Sequence, residues 1–153
     1  MPDLFVHFAS GYLPSRYQKI RNYDALLVLG AVLPDLLSRI PLIILVRFFH
    51  FPVEYFFRAL HTPIVLILSC YTLSFLFERS IRIKSFFALA AGSTLHLVLD
   101  MMQQQFFEGV YIPFIPFSIK TVQWGWFHYN ASLLIFPLLL VPVLFFWFRE
   151  QRK

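Results

Sequence analysis

Charge is scarce in this chain: Asp, Glu, Lys and Arg together make up 14% of 153 residues, against 59% hydrophobic and 20% aromatic. That balance is too apolar for a soluble domain of this length and reads as a single integral membrane domain over residues 1–153. Cysteine is nearly missing. Cys70 stands alone inside an apolar run, which excludes an internal disulfide and a multi-cysteine zinc knuckle and leaves it the role of a small buried residue. There is no Gly-x-Ser-x-Gly elbow, no phosphate-binding Gly-rich loop and no internal repeat. The N-terminus lacks the positive segment of a cleavable signal: Asp3 stands there, and residues 4–13 are short and interrupted by Gly11 and Pro14. The segment is therefore expected to stay on the mature protein.

The basic residues that are present do not gather in a groove-like run, so the formal net charge of +5 points away from nucleic acid. They lie between apolar segments. Leaving Arg39 aside, successive groups hold three (Arg16, Lys19, Arg21), two (Arg47, Arg58), three (Arg79, Arg82, Lys84), one (Lys120) and three (Arg149, Arg152, Lys153). This alternation is the positive-inside pattern of four crossings. It predicts a multi-pass membrane protein with residues 14–24, residues 78–84 and both termini in the cytoplasm.

The fold expected is all-α: a polytopic helical bundle of about four spans, one of them broken, with an N-terminal amphipathic or re-entrant helix. Residues 131–148 carry no charge and form the plain anchor, bent at Pro137 and Pro142. Residues 62–77 begin with Thr62 as N-cap and Pro63 as first helical position, leaving His61 at a helix mouth. Residues 85–102 form the third apolar segment. Residues 25–49 are interrupted by Pro34, Asp35, Ser38, Arg39 and Pro41, which predicts a broken helix. Leu4, Phe5, Phe8 and Tyr12 recur at helical spacing on the N-terminal segment, which also carries His7. Residues 103–126, rich in Gln, Pro and aromatics, read as the outer loop.

Inside the 85–102 segment stand two ionisable residues, His96 and Asp100. Such groups are rare within spans and usually face a bundle interior or a wet cavity, so the first reading is functional. Four-residue spacing puts their Cβ atoms about 6 Å apart on one face, near enough for one ion or one proton to bridge them. At 1.5 Å per residue, Asp35 and His96 each lie roughly 15 Å deep in a core about 30 Å thick, and so can meet. His7 reaches that level only if its helix dips into the membrane, and His61 only if its helix starts before Pro63. Each residue also has a plainer role: Asp35 can pair with Arg39 four residues on, and His96 with Asp100 can relay protons without a metal. His50 and His128, beside aromatics at span ends, read as interfacial anchors. What favours a metal is the set, because imidazoles and carboxylates from four segments are the mixture that binds zinc, manganese or iron.

The order and context of these residues resemble a known family. An N-terminal His in MPDLFVHF, Gly and Pro-Asp in LGAVLPDL, a His opening a helix in LHTPIV, then HLVLD and GVYIPFIPF are similar to the prokaryotic inner-membrane metal-dependent hydrolases. Some members of that family are described as LexA-binding, and their His and Asp pattern is distantly similar to zinc-dependent phospholipase C. The resemblance covers roughly residues 1–118. The family often carries His-Arg-Gly-x-Thr-His-Ser, whereas residues 56–62 here read Phe56, Phe57, Arg58, Ala59, Leu60, His61, Thr62, which keep only the second histidine.

The resemblance implies that His7, Asp35, His61, His96 and Asp100 are metal ligands, zinc first and manganese or iron next. A metal so held would activate a water, with Asp35 or Asp100, if not a ligand, as general base; the helix start after Thr62, with its unpaired N–H groups, is placed to receive a phosphate oxygen, and Arg58, one turn earlier, to assist. A site at membrane depth suits a lipid or lipid-linked ester, above all a phosphoester. Two rivals of other classes stand beside this expectation. One is a small proton-coupled transporter using Asp35, His96 and Asp100, which with four spans and no repeat would need an oligomer. The other is a non-catalytic accessory protein whose polar residues hold helices together, a reading supported by the phenylalanine at position 56.

Overall fold

The apolar runs fold as helices. A computed structural model describes residues 4–16, 21–49, 60–104 and 131–152, together with residues 114, 117, 118, 120, 122 and 124–128 of the loop between the last two helices. Among the described residues five α-helices follow in order: α1 (Leu4–Ser15), α2 (Asp24–Phe49, entered through a 3₁₀ turn at Arg21–Tyr23), α3 (Pro63–Ser74), α4 (Arg82–Met102) and α5 (Ala131–Gln151). No strand occurs among the described residues; a lone bridge joins Gln103 to Phe127. Among the described residues three helical stretches are long and apolar enough to cross a membrane, Asp24–Leu45, Arg82–Met102 and Leu134–Gln151, and Pro63–Ser74 is a shorter apolar helix.

Where the sequence predicts a broken span, α2 runs on as helix through both Pro34 and Pro41. At Pro34 the reason lies on another helix. Pro34 has no N–H to give the carbonyl of Gly30, and that carbonyl instead accepts the Ser93 hydroxyl of α4 at 3.0 Å. A neighbouring serine thus satisfies the group the proline frees, and the helix need not open. Such rescue requires close approach. Position 30 can hold only hydrogen: a Cβ there would lie 2.2 Å from the Leu89 carbonyl oxygen. At Gly92 a Cβ would lie 2.2 Å from the Leu27 carbonyl oxygen, so the α2 and α4 backbones touch through two glycines.

The face α4 turns inward carries Ser85, Leu89, Gly92, Ser93, His96, Leu97 and Asp100, a stripe at helical spacing made mostly of small and polar residues. Apolar packing is confined to small clusters around it. Leu33, Cys70 and Leu89 join α2, α3 and α4, while Leu66 packs on Leu97. Ala9 and Tyr12 of α1 meet Val143 of α5. Much of the remaining apolar surface faces outward, Leu134, Leu138 and Val141 of α5 among it, as expected of helices solvated by lipid.

Both ends of the bundle are tied by polar contacts. At one end the Arg16 guanidinium binds Asp24 Oδ2 at 2.7 Å and the Glu150 carboxylate, and it lies over the Tyr12 ring, bringing together the end of α1, the start of α2 and the end of α5. At the other end the last carbonyls of α4, Met101 and Met102, accept the backbone N–H groups of Trp124 and Trp126 at 2.7 Å each. These loop residues cap a helix end that has no further turn of its own to bond.

Candidate metal centre

Thr62 starts α3 in extended conformation with Pro63 in the first turn, as the sequence predicts, although its hydroxyl makes no cap hydrogen bond. This start sets His61 against α2 and α4. His7 arrives from α1, Asp35 from α2, and His96 and Asp100 from α4, so all five expected residues converge. All five are buried, His7 and His96 completely. His7 reaches this depth because α1 lies against α2, where a Cβ on Gly11 would sit only 2.9 Å from that of Ala31. Arg58 and His50 lie outside the described residues, Thr62 is buried beside His61, and His128 is exposed.

Distances define two overlapping groups. Ligand atoms of His7, His96 and Asp100, and those of Asp35, His61 and His96, each lie within 4.8 Å of one another. Asp100 is the hub of contacts. Its Oδ2 lies 2.7 Å from His61 Nε2 and 3.4 Å from His96 Nε2, and its Oδ1 lies 3.4 Å from His7 Nε2. The two Nε2 atoms of His61 and His96 are 3.2 Å apart, and the His7 and His96 rings stack with centroids 3.6 Å apart.

Hydrogen bonds behind the rings decide what these atoms can do. His96 Nδ1 lies 2.7 Å from the Ala31 carbonyl, which can only accept, so Nδ1 carries a proton and donates it. The Ser38 hydroxyl donates to the Pro34 carbonyl at 2.7 Å and so receives His61 Nδ1–H at 3.1 Å. In neutral imidazoles both Nε2 atoms are then bare, and their lone pairs point at each other and at a carboxylate oxygen. Three acceptors converging at these distances repel unless positive charge stands among them, as a divalent ion or as added protons. Further polar atoms surround the same place without a hydrogen-bond partner: both oxygens of Asp35, Oδ1 of Asp100 and the two ring nitrogens of His7, one of which is an acceptor in the neutral ring. The pairing of Asp35 with Arg39 is loose, at 3.8 Å.

The residues fit a metal ion. Around zinc, with Zn–N and Zn–O bonds of about 2.0–2.1 Å, tetrahedral ligand atoms stand about 3.3–3.4 Å apart. Separations of 3.2 and 3.4 Å match that edge, and the 2.7 Å contact of His61 is shorter than it. The rings are also held as metal-binding histidines are, with the far nitrogen donating to a carbonyl or a hydroxyl.

A family model described as the YdjM inner membrane protein matches residues 4–153, nearly the whole chain. The chain belongs to the YdjM inner membrane protein family. No curated protein and no solved structure gave a match. Membership bears out the expectation of an inner-membrane protein family, and the chain carries buried His and Asp groups that could hold a metal. The residues not singled out from the sequence as parts of the site are Ser38 and the carbonyl of Ala31. A faint signal for one exists: Ser38 follows Pro34 by one helical turn, the spacing at which a hydroxyl can bond a carbonyl beside a proline.

Proposed function

We propose that the protein is a membrane-embedded metal-dependent hydrolase acting on a lipid or lipid-linked phosphoester. The observation that carries this reading is the convergence of bare acceptor atoms from His61, His96 and Asp100 at buried depth. A divalent ion, zinc by its preference for imidazole and carboxylate, would polarise a phosphoryl oxygen and bring the pKa of a bound water to about 7. His7, His61, His96 and Asp100 are the proposed holders, with Asp35 completing the set or, when left free, taking a proton from water as general base. Asp100 is the alternative base through its free Oδ1. Ala31 and Ser38 keep the two imidazoles in the tautomer that presents Nε2. The first turn of α3, starting beside His61, offers N–H groups to a phosphate oxygen.

The Phe56 departure from the family motif favours a second reading, a metal-holding protein without turnover. Both are tested on full-length protein purified in detergent under metal-replete, anaerobic conditions. Elemental analysis should find stoichiometric zinc, manganese or iron in wild type and little in His96→Ala. Phospholipid vesicles should release a headgroup or diacylglycerol in a manner abolished by chelator and by Asp35→Asn. Absence of metal sinks the whole proposal; metal without turnover on any phospholipid leaves the second reading.

A further inference from the structure

We infer that Arg39 binds the phosphate of a membrane lipid that reaches the site sideways from the bilayer along α2. The inference draws on the metal-centre reading for the commitment of Asp35 and for what happens to that phosphate afterwards. Arg39 follows Asp35 by one turn; its side chain is 43% exposed where that of Asp35 is 2% exposed. Among the described residues its partner is Asp35 alone, and at 3.8 Å the contact is an ion pair without a hydrogen bond. If Asp35 is committed to a metal, the guanidinium keeps its charge and loses that counter-ion.

Its surroundings state what should replace the lost partner. Leu36, three residues before Arg39, and Ile43, four after, share its face, and with Ile40 and Ile44 they are exposed. On a helix long and apolar enough to span a membrane, that stripe meets lipid tails. A cation set in such a stripe is costly, and its retention there calls for an anion that arrives with the lipid. The planar guanidinium offers paired N–H donors matching two oxygens of a phosphate, while acyl chains run along Ile40, Ile43 and Ile44. Fifteen residues beyond Asp24, Arg39 stands about 22 Å from that end of the helix, and its long stem reaches further. The lipid therefore comes from the leaflet away from the Asp24 end.

The test is lipid retention by the full-length detergent-purified protein in native mass spectrometry, with zinc bound and after chelation. Three probes are compared: phosphatidylglycerol, diacylglycerol with the same chains, and millimolar inorganic phosphate as competitor. Wild type should hold phosphatidylglycerol in preference to diacylglycerol. Arg39→Gln should lower phosphatidylglycerol retention by about tenfold, the worth of a charged hydrogen bond, and leave diacylglycerol retention unchanged. Arg39→Lys should restore part of the preference, showing that charge and not folding was lost. Equal retention by Arg39→Gln and wild type overturns the inference, as does equal retention of the two lipids by wild type. Displacement of the lipid by inorganic phosphate also overturns it, because the tails then add nothing. Arg39-dependent retention in a protein that takes up no zinc would sink the hydrolase reading and leave the lipid subsite standing.

Discussion

His96 shows how one residue can be legible in the sequence while its working state is not. Its intramembrane position and its spacing from Asp100 mark it as functional without any structure. Its tautomer depends on the Ala31 carbonyl 65 residues away, and that of His61 on a serine hydroxyl 23 residues away. No local pattern announces either bond, because serine is common in membrane helices and every residue carries a carbonyl. Ser38→Ala should therefore act on the metal without touching it. The imidazole of His61 would lose the group that fixes its orientation, and zinc affinity should fall between about tenfold and a hundredfold. Competition with a chromophoric chelator measures this, and unchanged affinity would show that Ser38 serves the helix alone.

At the scale of elements, what was legible was helix placement, because long apolar runs leave little alternative in a membrane. The continuity of α2 was not. Two prolines and three polar residues in one span argue for a break when the span is considered by itself, and at Pro34 it is the Ser93 hydroxyl on α4 that removes the need for one. The same contact explains why Gly30 and Gly92 matter more than their neighbours. Gly92→Ala would drive a methyl group into the Leu27 carbonyl and the Ala31 amide, both of them backbone and unable to rotate away. The helices must part, at a cost of about 1–3 kcal/mol or more, and His96 moves away from the Ala31 carbonyl that orients it. Expected outcomes are a lower midpoint in detergent unfolding and loss of bound metal together. Ala91→Gly, on the exposed side of the same turn, is the control: it should lower stability by about 1 kcal/mol at most while metal stays bound.

For the whole molecule, the basic residues and the buried cluster occupy different levels. Gly30 lies against Leu89 and Gly92, and Leu37 packs against the Leu66–Leu97 pair, so α2 and α4 ascend in parallel. Their starts, Asp24 and Arg82, lie at one level, and the Arg16 cluster adds the end of α1 and the end of α5 to it. This grouping agrees with the charge alternation, which expected residues 14–24, residues 78–84 and the C-terminus on one side. Asp100 stands 18 residues along α4 from Arg82, about 27 Å from that side. Near it, the exposed pair Trp124 and Trp126 sits at the other end of the helix, where indoles favour the interface with water. If the basic end faces the cytoplasm, the site opens toward the opposite surface. A membrane-impermeant chelator should then strip metal from right-side-out vesicles and leave inside-out vesicles loaded, and a cysteine introduced at position 115 should label from the outside while one at position 20 does not. Stripping from the inside-out vesicles, with the two labels reversed, would invert the molecule, since the order of levels along α2 and α4 is fixed by their packing and only the side that faces the cytoplasm is free to change.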